Sequence, residues 1–149
     1  MEIRVKELYK GLYTQAKDEN GNLVPFINPK GDWIDLRAAE DYSFGAPQAL
    51  TQKSITVDGE TKKVRDVVFD EQLIDLGIAM ELPKGMVAKI RQRSSTTKKM
   101  RLVIASSGAI DTVYNGDNDY WKFYCYALGN TEIKRGDRIC QFEIVPSQF

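Results

Sequence analysis

The stretch Leu76-Gly77-Ile78-Ala79-Met80-Glu81-Leu82-Pro83-Lys84-Gly85-Met86-Val87-Ala88-Lys89-Ile90-Arg91-Gln92 decides the fold class. Its apolar first half, Leu76–Leu82, ends at Pro83-Lys84-Gly85, where Pro presets φ and Gly tolerates positive φ, so the chain turns. Beyond the turn, Met86–Gln92 alternates apolar and polar residues, the period of a strand with one buried face. The same grammar extends outward. Met100–Ala105, Tyr120–Leu128 and Thr131–Ile133 read as strands, and Lys134-Arg135-Gly136-Asp137 as a turn into a last strand, Arg138–Val145. Upstream, Ile3–Tyr9 reads as a strand or a short helix, Asp18-Glu19-Asn20-Gly21-Asn22 as a polar turn, and Trp33–Ala38 as the start of a strand. Ser54–Val57 and Lys62–Val68 flank Asp58-Gly59, a strong hairpin signal. The helix expected after the N-terminus is Phe69–Ile74, with Asp70 as its cap, and a weaker alternative lies around Ala38–Tyr42. Many short strands at close spacing predict an all-β sandwich, barrel or jelly roll.

The 149 residues suit one domain, 1–149, and no linker divides them. Lys+Arg and Asp+Glu are 21 each, so net charge is zero. A general nucleic-acid binder carries basic excess, so no nucleic-acid partner is expected and any bound anion needs a local cluster. There is no histidine, which removes Ser-His and Cys-His catalysis and the commonest metal ligand. Proton transfer at neutral pH then falls to carboxylates, Lys, Tyr or Cys. Cys125 and Cys140 lack metal-ligand spacing and sit in apolar runs, so they read as reduced core thiols of a cytoplasmic protein. No apolar run reaches membrane-spanning length, and no membrane partner is expected.

Four constellations can carry chemistry. Arg93-Ser94-Ser95 follows the Met86–Gln92 strand and opens a hydroxyl-rich, basic run to Arg101. Hydroxyls, backbone N–H groups and guanidinium suit phosphate oxygens, although a solvated basic loop has the same composition. Gly108–Gly116 places Asp111 at the end of an apolar segment, with Tyr114 and Gly116 following in the pattern Asp-x-x-Tyr-x-Gly. A carboxylate there can accept a proton from water, an aromatic can pack on a sugar, and a glycine admits close backbone approach; a structural β-turn has the same residues. Gly31-Asp32-Trp33-Ile34-Asp35-Leu36-Arg37-Ala38-Ala39 sets Asp35 in a strand-like apolar run, where it must meet a cation or an arginine. Arg135-Gly136-Asp137-Arg138-Ile139-Cys140-Gln141-Phe142 puts Gln141 among apolar neighbours, facing a ligand or a strand edge.

In this order, WIDLRAA, RSS, GAIDTVYNG and GDRICQF resemble the trimeric dUTPase family, above all its short bacterial and phage members. The likeness covers Gly31–Asp41 and Leu76–Val145. It implies a distorted jelly-roll or β-clip fold, a homotrimer with shared active sites, and Mg2+-dependent hydrolysis of dUTP to dUMP and pyrophosphate. By position, it implies that Asp35 helps place the metal-bound triphosphate through water, and that Arg93, Ser94 and Ser95 hold phosphates. Asp111 activates the attacking water, Tyr114 packs on deoxyribose, the backbone of Asn115 and Gly116 reads uracil, and Gln141 supports the phosphate end. Phosphoryl transfer needs positioning and charge neutralisation more than covalent help, so a chain without histidine can perform it.

The sequence departs from that family in several places. Members usually end in a flexible glycine-rich arm that closes over the nucleotide, whereas this sequence stops at Pro146-Ser147-Gln148-Phe149, so a chain without that arm is expected. A probable hairpin insertion around residues 43–69 is one candidate cover, with Phe44-Gly45-Ala46 as an imitation of the arm. Gln92 stands where relatives have Pro, and Ala105-Ser106 where relatives have Asn-Ser. Two other readings stay open: a dUTPase-like nucleotide-binding or regulatory protein without turnover, and a dCTP deaminase-type enzyme, which shares Arg-Ser-Ser.

Overall fold

Alternating burial organises the chain, and the computed structural model describes it for residues 2–27 and 31–148. Near the N-terminus β1 (Arg4–Glu7) precedes β2 (Ile34–Arg37) and β3 (Tyr42–Phe44). A run of short strands follows: β4 (Gln48–Ala49), β5 (Lys53–Val57), β6 (Glu60–Val64) and β7 (Val67–Val68). The body continues with β8 (Glu71–Asp75), β9 (Ile78–Glu81), β10 (Met86–Gln92), the helix α1 (Ser94–Met100), β11 (Leu102–Ile104) and β12 (Ala109–Ile110). It closes with β13 (Lys122–Ala127), β14 (Thr131–Ile133) and β15 (Arg138–Pro146).

Two antiparallel sheets carry the core. One has the order β12-β10-β15-β2 and the other β11-β13-β8. In β10, Ala88 and Ile90 point inward; in β13, Phe123, Cys125 and Ala127 do the same. Trp121 closes the core edge-on against Phe142 of β15, with ring centroids 5.1 Å apart. The run around β9 shows no alternation because Ile78, Ala79 and Met80 are all buried, as in a strand covered on both faces. Gly77 enters it at φ +62, where an added Cβ would stand 2.8 Å from Leu12 and 2.9 Å from Ala39. The fold is all-β, as the strand grammar predicts. Among the described residues, no helix is long and apolar enough to cross a membrane.

Asp58 and Gly59 both adopt positive φ, 51° and 79°, and close the β5–β6 hairpin in the register Val57↔Glu60, as the sequence indicates. The helix expected over Phe69–Ile74 is not formed. That segment is β8, laid against β13 with Leu73 opposite Tyr124 and Ile74 buried opposite Phe123. Asp70 accepts a hydrogen bond from the Gly45 backbone instead of capping a helix. So short a segment has little intrinsic helicity, and sheet pairing decides its state. The weaker helix at Ala38–Tyr42 is also absent: Ala38 and Ala39 are buried in irregular backbone, and Tyr42 begins β3. Phe44 is buried in β3, so Phe44-Gly45-Ala46 offers no free aromatic for covering a ligand. The helix that does form, α1, occupies the hydroxyl-rich run also readable as a loop.

Candidate active site

Antiparallel pairing of β2 with β15 brings the Gly31–Ala39 and Arg135–Phe142 constellations together, with Asp35 opposite Gln141. Arg93 continues β10, the strand on the other side of β15, and its side chain reaches back to the same point. Its Nε lies 3.0 Å from Asp35 Oδ1, and its Nη1 donates to the Arg138 carbonyl at 3.1 Å. Arg138 Nη1 stands 3.4 Å from the second oxygen of Asp35. Alternation along β2 sends Asp35 and Arg37 to one face while Leu36 enters the core. Burial, then the charge of Arg138, lowers the pKa of the half-buried Arg37 guanidinium.

These side chains line a cleft of about 580 Å³ shared by Asp35, Arg37, Arg93, Ser94, Arg138 and Gln141. Tyr13, Val24, Pro25, Phe26 and Trp33 form its apolar wall. Phe26 is fixed edge-on to Tyr13, with centroids 5.0 Å apart. Tyr13 itself is pinned by its hydroxyl, which donates to the Leu76 carbonyl at 2.6 Å and accepts from the Arg37 backbone at 2.9 Å. Ser95 faces a second cleft, about 540 Å³, which shares the same three arginines.

The turn Arg93-Ser94-Ser95 is held by residues outside the sequence motif. Thr96 is fully buried; its hydroxyl donates to the Ile139 carbonyl at 2.7 Å and accepts from the Arg93 backbone at 2.9 Å. Gln92 donates to Thr97 Oγ1 at 2.7 Å and accepts from the Ile104 backbone at 3.0 Å. A seven-residue helix is marginal alone, so these long-range bonds make α1 and fix its first turn. Arg37 and Arg138 stand inside the quoted motifs but carried no signal of their own. Phe26, Tyr13 and Thr96 carried none.

The Gly108–Gly116 constellation is built elsewhere. Gly108 takes φ +69, and a Cβ there would meet the Ile90 carbonyl at 2.2 Å, so only glycine lets this strand start press against β10. The short β12 then pairs Ile110 with Ala88 and delivers Asp111 to the surface. The Asp111 carboxylate accepts from the Val113 backbone at 3.2 Å, and its carbonyl accepts from Tyr114 N at 3.0 Å. Tyr114 is exposed and tethered by its hydroxyl to the Tyr120 carbonyl at 3.0 Å. Asn115 and Gly116 border a small cleft beside β1 and β9. Extending the ladder sets Asp111 beside Val87, while Arg93 leaves the far end of β10. At the strand rise, Val87 and Arg93 are about 20 Å apart. Thus the structure unites Asp35, Arg93, Ser94 and Gln141, groups Asp111, Tyr114, Asn115 and Gly116 separately, and does not join the two groups within one chain.

Among the described residues, no cluster of three or more His, Cys, Asp or Glu side chains could hold a metal. Asp35, beside a serine hydroxyl and three guanidiniums in a cleft that Asp32 also borders, suits a cation that keeps its waters and is held mainly by phosphate oxygens.

The dUTPase family model matches residues 61–147. The SPbeta prophage-derived deoxyuridine 5'-triphosphate nucleotidohydrolase YosS of Bacillus subtilis (strain 168) is 47% identical over 118 residues, covering 78% of this chain and 67% of that protein. A dUTPase from Streptococcus mutans superposes with a TM-score of 0.65 at 20% identity, over 97% of this chain and 96% of that one. A mutant dUTPase from phage phi11 of S. aureus, described with a coordinated structural Mg(II) ion, gives 0.67 at 16% identity, over 100% and 93%.

Proposed function

The chain belongs to the dUTPase family and is a dUTP diphosphatase, and from that premise we propose how its residues act: Mg2+-dependent release of pyrophosphate, with the attacking water held by Asp111. The observation that carries this reading is the cleft in which Arg93, Ser94, Arg138 and Gln141 surround Asp35. Guanidiniums and a hydroxyl converging there match a polyphosphate in charge and in donor geometry. Arg93, Ser94, Ser95 and Gln141 bind the phosphates. Asp35 gives up its arginine contacts to phosphate oxygens and, through water, positions the magnesium triphosphate. When bound, Mg2+ neutralises charge on the phosphate oxygens.

Asp111 orients a water for attack on the α-phosphorus and takes its proton as the new bond forms. Tyr114 packs on the deoxyribose, where a 2′-hydroxyl would crowd the ring, and the backbone of Asn115 and Gly116 reads uracil. Reacting atoms must approach to about 3 Å. The separation of about 20 Å along β10 favours a reading in which Asp111 serves phosphates bound by another copy of the chain. This supports a homotrimer with shared sites. The turn carries Asp111 where a deaminase needs a glutamate, which favours hydrolysis over deamination of dCTP.

The test is pyrophosphate release from dUTP, dCTP and UTP with magnesium, for the wild type and Asp111→Asn. The expected result is dUTP-specific release that falls roughly 10²- to 10⁴-fold in the variant, while dUTP binding persists. Binding of dUTP without release by the wild type would replace this reading with a nucleotide sensor, and ammonia release from dCTP would replace it with a deaminase.

A further inference from the structure

Among the described residues, Arg37 lines the phosphate cleft without a direct ion pair, and the charge of Asp35 reaches it only from a distance. The Arg37 backbone is fixed, with N–H donating to Tyr13 Oη at 2.9 Å. Among the described residues its side chain makes one hydrogen bond, from Nη1 to the Gly136 carbonyl at 2.7 Å. A guanidinium has five N–H donors. Among the described residues, no carboxylate forms a direct ion pair with it, because both oxygens of Asp35 are taken by Arg93 and Arg138. Arg37 is nevertheless half-buried, and burial together with the neighbouring Arg138 charge acts against its charged form. A half-buried cation with a single neutral acceptor is costly unless an anion completes it.

Its position says which anion. Arg37 stands opposite Arg138 in the β2–β15 ladder, and Asp35 stands opposite Gln141 two residues away on the same face. The two levels lie about 7 Å apart along the strand, so the cations line a track longer than one phosphate. Arg37 borders both the 580 Å³ cleft and its 540 Å³ neighbour, at the seam where Arg93 and Arg138 are also shared. We propose that Arg37 binds the pyrophosphate portion of the nucleotide, completing with Arg93 and Arg138 a three-arginine clamp that selects a triphosphate and holds the leaving group. The proposal rests on the cleft being the phosphate site.

The experiment compares wild type, Arg37→Gln, Arg37→Lys and Arg93→Gln as intact proteins with magnesium. It measures kcat/KM for dUTP, inhibition by inorganic pyrophosphate and by dUMP, and the melting temperature without nucleotide. For Arg37→Gln, kcat/KM should fall roughly ten- to a hundredfold, the loss of a hydrogen bond to a charged group. Pyrophosphate inhibition should weaken by a similar factor while dUMP inhibition holds. Melting should not drop, because a repelling charge has been removed. Arg37→Lys should recover part of the loss, since it keeps the charge but not the planar fork. Unchanged pyrophosphate inhibition in Arg37→Gln overturns the proposal, and so does an equal weakening for dUMP with a lowered melting temperature, the mark of structural damage. If Arg93→Gln alone weakens pyrophosphate binding, the cleft reading stands without Arg37. If neither variant does, the cleft reading itself has failed.

Discussion

Arg93 Nε lies 3.0 Å from Asp35 Oδ1, so the carboxylate proposed to face a metal-bound triphosphate is also the counter-ion of the principal phosphate-binding arginine. Asp35→Asn leaves Arg93 and Arg138 with no carboxylate between them. The pair is only partly exposed, at 23% and 32% of side-chain surface, so its loss should cost about 1–2 kcal/mol, between exposed and buried pairs. Inorganic phosphate should restore stability more in the variant than in the wild type, since a bound anion substitutes for the missing charge. Melting curves across a phosphate series check this. Equal phosphate shifts in both proteins would contradict it.

Thr96 should matter as much as the residues that touch phosphate. Its hydroxyl ties the Arg93 backbone to the Ile139 carbonyl inside the core. Thr96→Val keeps the shape and strands both partners, which should cost about 1–3 kcal/mol in urea denaturation. Thr96→Ser retains the hydroxyl and should recover most of that loss. The same order, wild type, then Ser, then Val, is expected for affinity toward inorganic pyrophosphate.

The two thiols set an alkaline limit. Burial pushes Cys125 up from 9.0 to about 12 and raises Cys140 well above its ordinary value. A raised pKa means that the folded chain keeps a proton which the unfolded chain has lost. The contribution is therefore whole below about pH 9 and disappears as pH climbs toward 12. The stability difference between wild type and Cys125→Ala, from urea midpoints, should stay constant from pH 7 to about 8.5 and shrink above pH 9. A difference still constant at pH 11 would contradict this.

Local signals in the sequence reach the strands and the Asp111 turn, because alternation in Met86–Gln92 and the glycines at 108 and 116 act within a few residues. The helix α1 was not legible, since Thr96 and Gln92 create it through Ile139 and Ile104, partners distant in the chain or on the next strand. Gln92 reads from sequence only as a departure from a family proline. In the fold it donates to Thr97 and so binds α1 to β11. The same blindness hid Arg37, whose acceptor Gly136 lies 99 residues away. Phe69–Ile74 failed for the converse reason: its residues permit a helix, and pairing with β13 overrides them.

Separation of Asp111 from Arg93 along β10 makes a prediction that activity alone can settle. Asp111→Asn and Arg93→Gln each remove one half of a site, so each homogeneous protein should be nearly inactive. If the two halves come from different copies, a mixed assembly contains sites with Arg93 from one variant and Asp111 from the other. Random mixing in equal amounts after unfolding and refolding should restore about a quarter of wild-type activity, since each half is intact with even odds in a closed ring. The restored fraction should follow the product of the two mole fractions and vanish at either extreme. Light scattering on the same samples should report a trimeric mass. Were Asp111 and Arg93 to serve one site within one chain, mixing would restore nothing at any ratio.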